Sequence, residues 1–170
     1  MITTKLINRN DIARYKQISN TVYDEVLDAT IIEAQIQDIA PLLGEKLFND
    51  ILVNHANYND LLNGGSYTFS GVVYNNYGLK AVLVYYTYAR YQMFGNVIDT
   101  PFSTIEKLEG SDSRPTSEKT KKDLYHMNRD SAFTIWQSVE NYLIRTGNVL
   151  FKTTQCQVSK TSTLKFGKIG

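Results

Sequence analysis

One cysteine, Cys156, stands among 170 residues. That excludes an internal disulfide and any multi-cysteine metal site, and a lone thiol fits a reducing compartment. The two histidines, His55 and His126, lie far apart in the chain. No His-Glu-x-x-His pattern or other metal-ligand spacing involves either, so both read as surface residues. The formal net charge is only +1, and bulk charge therefore argues for no particular partner. No apolar run approaches the roughly 20 residues that a membrane-spanning helix needs. The opening "MITTKLINRND" lacks the apolar centre of a signal peptide. A soluble, non-secreted protein with no membrane partner is expected.

Catalytic patterns are missing as well. "NGGSYTFSG" is glycine-rich, but it lacks the Gly-Lys-Ser/Thr end of a phosphate loop and precedes a strand. "GKIG" near residue 170 is no phosphate loop either, and no Gly-x-Ser-x-Gly elbow exists. Cys156 sits in a lysine-bearing tail that favours a thiolate, without a histidine to activate it. Glu33, Asp38 and Glu45 are the carboxylates within a dense apolar segment. Each can sit on the solvated face, and their spacing makes no acid/base pair. The expectation is a non-enzyme with no catalytic residues, metal or cofactor.

What is present is tyrosine, 12 residues of it, within a hydrophobic content of 42%. Tyrosine suits surfaces buried at one end and wet at the other. Helical periods dominate. Asn8, Asn10 or Asp11 can cap a short helix carrying Ile12, Tyr15 and Ile18. A longer helix starts at Asp24 and Glu25, where the helix dipole favours acids, and carries Val26, Leu27, Ile31, Ile32, Ile36 and Ile39. Pro41 marks either a break or a kink before a second helix over 41–54, with Leu42, Leu43, Leu47, Phe48 and Ile51 at helical spacing. A short helical turn stops at Asn63, Gly64 and Gly65.

"SYTFSGVVY" then reads as a β-hairpin at about 66–75. A two-residue Ser70-Gly71 turn sets Phe69 opposite Val72 and Tyr67 opposite Tyr74, and paired residues share a face. A lone hairpin is marginal in water, so this one needs support. The following helix, over 77–94, is apolar nearly all round. Leu79, Val82, Leu83, Tyr86, Ala89 and Met93 form one stripe, and Ala81, Val84, Tyr85, Tyr88 and Tyr91 lie off it, where a neighbouring subunit can add cover. A long polar loop follows, in which "STIEKLE" becomes a strand if something pairs with it. The last helix runs from about 116 to 145. Thr116 or Ser117 caps it and Gly147 ends it. Leu124, Met127, Ser131, Ala132, Ile135, Val139, Tyr142 and Leu143 form its stripe, and its first turns, "SEKTKKD", should project into solvent or against a charged partner. Residues 148–170 hold Lys152, Lys160, Lys165 and Lys168 and no acid. This tail favours extended structure. With Phe151 and Phe166 it can add a strand to another chain or track a phosphate backbone.

The expected fold is thus mainly α: a small helical bundle with an inserted hairpin, a long loop and an extended arm. Residues 1–147 form the helical domain and 148–170 the arm. The segments "ATIIEAQIQDIAPLLGEKLFNDI", "SYTFSG", "LVYYTYARYQMFG" and "TIEKLEGSDSRPTSEKTKKDLY" give an order of elements that resembles the head–tail connector proteins of tailed bacteriophages. The nearest likeness is to those of crAss-like and other Bacteroidetes phages. The resemblance spans most of residues 24–145 and rests on organisation, not on a chemical motif. It implies a non-enzymatic virion subunit, assembled in the host cytoplasm into a dodecameric ring between portal and tail. DNA would pass non-specifically through its centre. Subunit contacts would fall to Tyr67, Phe69, Val72, Tyr74, Tyr85, Tyr88, Ile105 and Leu108. Contacts to the portal or next ring would fall to Phe151, Lys152, Val158, Lys160, Leu164, Lys165 and Phe166. The alternative is a cellular helical adaptor that recruits a partner through the tail.

Overall fold

The structure, a computed structural model, describes residues 4–18, 23–94, 97–99, 104–106 and 117–151, with 97–99 and 104–106 described by backbone alone. Asn8 caps α1 (Arg9–Ala13). Its side chain accepts from the amides of Asn10 and Asp11, and the Asp11 carboxylate accepts from the Asn8 amide. This reciprocal box satisfies amides that every helix start leaves unpaired.

Helix α2 (Asp24–Ala34) runs into one π turn at Gln35–Ile39 and then into α3 (Ala40–Leu43). Pro41 does not end this rod. The Ala40 amide reaches five residues back to the Gln35 carbonyl. The wider turn accommodates a ring that lacks an amide proton and crowds the turn before it. The break comes at Gly44, whose φ of 77° separates α3 from α4 (Glu45–Val53). The single helix expected over 41–54 is therefore interrupted at a residue for which left-handed backbone costs little.

A 3₁₀ turn at His55–Tyr58 and α5 (Asn59–Asn63) lead into the hairpin of β1 (Gly65–Phe69) and β2 (Val72–Asn76). Phe69 pairs with Val72 and Tyr67 with Tyr74, in the register read from the sequence. Ser70 and Gly71 both have positive φ, 51° and 78°, as a hairpin turn matched to strand twist requires. At the hairpin base two backbones abut. A Cβ on Gly64 would lie 2.4 Å from the Asn76 carbonyl oxygen, and one on Gly78 would lie 2.7 Å from the Asn63 carbonyl carbon. Buried Asn76 fastens the same junction: its Nδ2 donates to the Asp60 carbonyl at 2.9 Å, and its Oδ1 accepts from the Gly78 amide at 3.0 Å.

Helix α6 (Leu79–Phe94) is the centre of the bundle, packed on α7 (Glu118–Arg145), α2, α5 and α1. Leu79, Val82, Leu83, Val84, Tyr86 and Ala89 are all buried. The chain itself thus supplies most of the cover that this helix demands. Strands β3 (Val97–Asp99) and β4 (Thr104–Glu106) pair antiparallel, with Ile98 opposite Ile105, so "STIEKLE" finds its strand partner within the chain. Ser117 caps α7, its Oγ accepting from the Thr120 amide at 3.2 Å. The helix ends on Gly147 at φ 67°, with the Gly147 amide on the Ile144 carbonyl and the Asn148 amide on the Leu143 carbonyl. That is the Schellman arrangement.

The α7 stripe differs from expectation in part. Ala132, Val139 and Leu143 are buried, as is Trp136, but Met127 is 55% exposed and Asn128 takes the inward position. Over 28 residues a straight helix drifts against any fixed repeat, and the contact with α6 decides which neighbour turns inward. Of the first turns of α7, expected in solvent or against a charged partner, Lys121 is buried. Leu150 and Phe151 pack on the core, so the body continues past residue 147. The molecule is mainly α with an inserted hairpin. The remainder of the expected arm, from residue 152, lies outside the described residues.

Candidate interaction surface

The ribbon leans on its own α7. The Tyr67 ring meets Tyr142 edge-on with centroids 5.0 Å apart and lies 5.8 Å from Tyr74. The Arg145 guanidinium sits 3.9 Å from the Tyr74 centroid and 5.8 Å from that of Phe69, and its Nη1 donates to the Tyr67 hydroxyl at 3.1 Å. A cation over an aromatic face is attracted by the ring quadrupole. Burial, then the nearby Asp60 and Tyr67, push the Tyr142 hydroxyl above its ordinary pKa. The tip is different: Phe69 is 42% exposed, Val72 51% and Val73 67%. Of the four ribbon residues assigned to subunit contact, Tyr67 and Tyr74 are half-buried on α7, and Phe69 and Val72 face solvent.

Tyr85 and Tyr88 are half-buried under the N-terminal segment. Tyr15 lies edge-on to Tyr85 at 6.4 Å, and the Lys16 ammonium sits 4.1 Å from the Tyr85 centroid and 5.4 Å from that of Tyr88. The Tyr88 hydroxyl donates to the Gln17 carbonyl at 3.2 Å. Burial lowers the Lys16 pKa. Ile105 is placed in β4 by its backbone. Phe151 packs edge-on to Trp136 at 6.2 Å, so this residue of the tail set belongs to the body. Leu108, Lys152, Val158, Lys160, Leu164, Lys165 and Phe166 lie outside the described residues.

Sequence reasoning missed a buried charge cluster. Asp38 does not sit on the solvated face; its side chain is 3% exposed. One oxygen accepts from Arg90 Nε and the other from Arg129 Nη1, both at 2.7 Å. The remaining Arg90 nitrogens donate to Glu33 at 2.7 Å and Gln37 at 3.0 Å. The Arg129 guanidinium also stacks over Tyr86 at 5.1 Å and Tyr125 at 5.4 Å. Burial opposes the Arg129 charge, but the hydrogen bond and charge of Asp38 outweigh it and leave the pKa raised. Burial likewise raises the Tyr86 pKa, against the opposing charge of Arg129.

The helical period is the local cause. Asp38 lies four residues after buried Ala34 and seven after buried Ile31, and Gln35 lies four after Ile31, so both fall on the buried stripe of the rod. Gln35 there accepts from the Leu6 amide at 2.7 Å and donates to the Thr4 carbonyl at 3.0 Å. Both Asp38 oxygens are engaged by guanidinium groups, so the cluster works as a clamp joining the π turn, α6 and α7. The available signal was Arg90 itself, four residues after Tyr86 and seven after Leu83 on the apolar stripe of α6, where a buried cation must find a partner.

Beside the clamp, α2 and α6 frame an open cleft of about 430 Å³, lined by Val26, Ala29 and Phe94 with Glu25, Glu33 and Arg90. A separate polar pair joins Tyr58 to Asp50, whose carboxylate also accepts from Asn54 Nδ2 at 2.9 Å. Burial and then Asp50 push the Tyr58 pKa up to about 12, and the bonds from Tyr58 and Asn54 hold Asp50 below its usual range. Among the described residues, no group of three or more His, Cys, Asp or Glu is placed to hold a metal, and no helix is long and apolar enough to cross a membrane.

A family described as of unknown function, DUF6712, matches residues 39–161. No curated protein and no solved structure matches the chain.

Proposed function

We propose that this chain, which belongs to the DUF6712 family, is a non-enzymatic ring subunit of a tailed-phage neck, assembling with copies of itself between portal and tail. The observation that carries this reading is an apolar tip held out on a braced ribbon. Phe69 and Val72 face each other across the turn, both largely exposed, while Tyr67, Tyr74 and Arg145 fix the base. Phe69 and Val72 are about half covered already, so burying the rest stabilises an association by about 1 kcal/mol each. A tip from one copy docking on a different surface of the next makes a head-to-tail contact, and such contacts make a ring where the rotation from copy to copy closes.

The tail, which carries four lysines and no acid, grips the portal or the adjoining ring. A near-neutral chain lets DNA pass the ring centre without tight phosphate binding. The virion neck is the site of action, reached after assembly in the host cytoplasm.

The test is mass in solution, alone and with portal. The native chain forms a ring, and Phe69→Ser with Val72→Ser leaves a folded helical monomer. A native chain that stays monomeric at every concentration and beside portal overturns the proposal. A double variant that still assembles removes the tip from the interface.

A further inference from the structure

The α2/α6 cleft has apolar residues open to solvent: Val26 is 51% and Phe94 54% exposed. It also lies in the most one-sided acidic part of the chain. Residues 17–45 contain Asp24, Glu25, Asp28, Glu33, Asp38 and Glu45 and no lysine or arginine. Arg9 and Lys5 pair with Asp24 and Asp28, and Arg90 with Glu33 and Asp38. Glu25 lines the cleft and has no cation partner among the described residues. The reverse bias stands in residues 152–170: four lysines, no acid, and the apolar side chains Leu164, Phe166 and Ile169.

The path of the chain connects the two. After Gly147 the backbone turns back, and Phe151 meets Trp136. Trp136 is on the way from the end of α7 toward Arg129, about 10 Å further along the helix at 1.5 Å per residue. Arg129 holds Asp38, which holds Arg90 at the cleft. The 19 residues beyond Phe151 reach about 60 Å when extended, ample for that course.

We infer that the cleft between α2 and α6 is the seat of this chain's own 152–170 segment, with Leu164 and Phe166 against Val26, Ala29 and Phe94 and the tail lysines at Glu25 and Glu33. Tethering favours the chain's own tail over one from another copy, because a covalent link of this length gives it an effective concentration of about a millimolar. The docked tail is withheld from outside partners until one displaces it. This inference stands whether or not the chain forms rings.

A carbodiimide, which joins a lysine to a carboxylate only at ion-pair contact, tests it on the full chain. In a mixture of isotopically light and heavy protein, the expected products are amides from Lys160, Lys165 or Lys168 to Glu25 or Glu33, each within one chain. Their yield falls about tenfold when the apolar contact is removed by Val26→Ser with Phe94→Ser. Leu164→Ser with Phe166→Ser, altered outside the folded body, gives the same loss. The ring-breaking pair Phe69→Ser and Val72→Ser leaves the yield unchanged, which separates this result from that of the assembly test. Absent products, products joining light to heavy chains only, or a yield indifferent to both apolar pairs each overturn the inference.

Discussion

The π turn at Gln35–Ile39 and the hairpin tip at residues 69–72 depart from the same rule in opposite directions. The first places polar groups inside: Gln35 and Asp38 are buried. The second places apolar groups outside: Phe69, Val72 and Val73 stand in water. The inward departure is fully answered within the chain, by Arg90, Arg129, the Leu6 amide and the Thr4 carbonyl. Among the described residues, the outward one is answered by Arg145 beneath Phe69. A polar group satisfied inside a fold belongs to stability, and an apolar group left outside belongs to association. On that division the clamp holds the bundle together and the tip meets something else.

The sharpest way to break the contrast is Arg90→Leu. It strands Asp38 with one guanidinium instead of two, and removing one partner of a buried pair destabilises by about 3–5 kcal/mol. Urea unfolding measures it, and adding Asp38→Leu should recover much of the loss. Next in size is Tyr67→Ala, which frees the ribbon base from Tyr142 and Arg145. Lost ring packing and burial amount to about 2 kcal/mol, and hydrogen exchange in β1 and β2 should rise more than in α6.

A smaller effect lies in Tyr58. Its folded pKa of about 12 exceeds the ordinary 10.0, so its contribution is present below pH 10 and is lost as pH rises from 10 toward 12. Stability should fall across that window, and Tyr58→Phe should flatten the fall. Phe69→Ser with Val72→Ser removes a half-exposed cross-strand pair and should cost about 1 kcal/mol, too little to unfold the chain. If that pair instead unfolds the chain, the tip is part of the fold and the contrast fails.

Local signals were legible and remote ones were not. The hairpin register could be read because a two-residue turn and alternation fix it within nine residues, "SYTFSGVVY". The Asn8 and Ser117 caps were readable for the same reason. What supports the ribbon was not readable, since Tyr67 meets Arg145 across 78 positions. Asp38 was misplaced because a carboxylate ordinarily stays in water, although its spacing from Ile31 and Ala34 sets it on the buried stripe; the Arg90 that satisfies it lies 52 positions away. Met127 and Asn128 are neighbours whose order of burial depends on α6, not on anything local to them. The α2/α6 cleft brings together lining residues 57 or more positions apart in the chain and has no motif. The loop and tail portions of the candidate surface fall largely outside the described residues.

The contact of Gly64 with Gly78 gives the ribbon a mount that admits no side chain at either point. Variation is thus barred at the root but open at the crest, where residues 69–73 touch little of the bundle. Related proteins could exchange those few positions to suit a different neighbour while the helices beneath stay as they are. Docking preference would then drift faster than architecture.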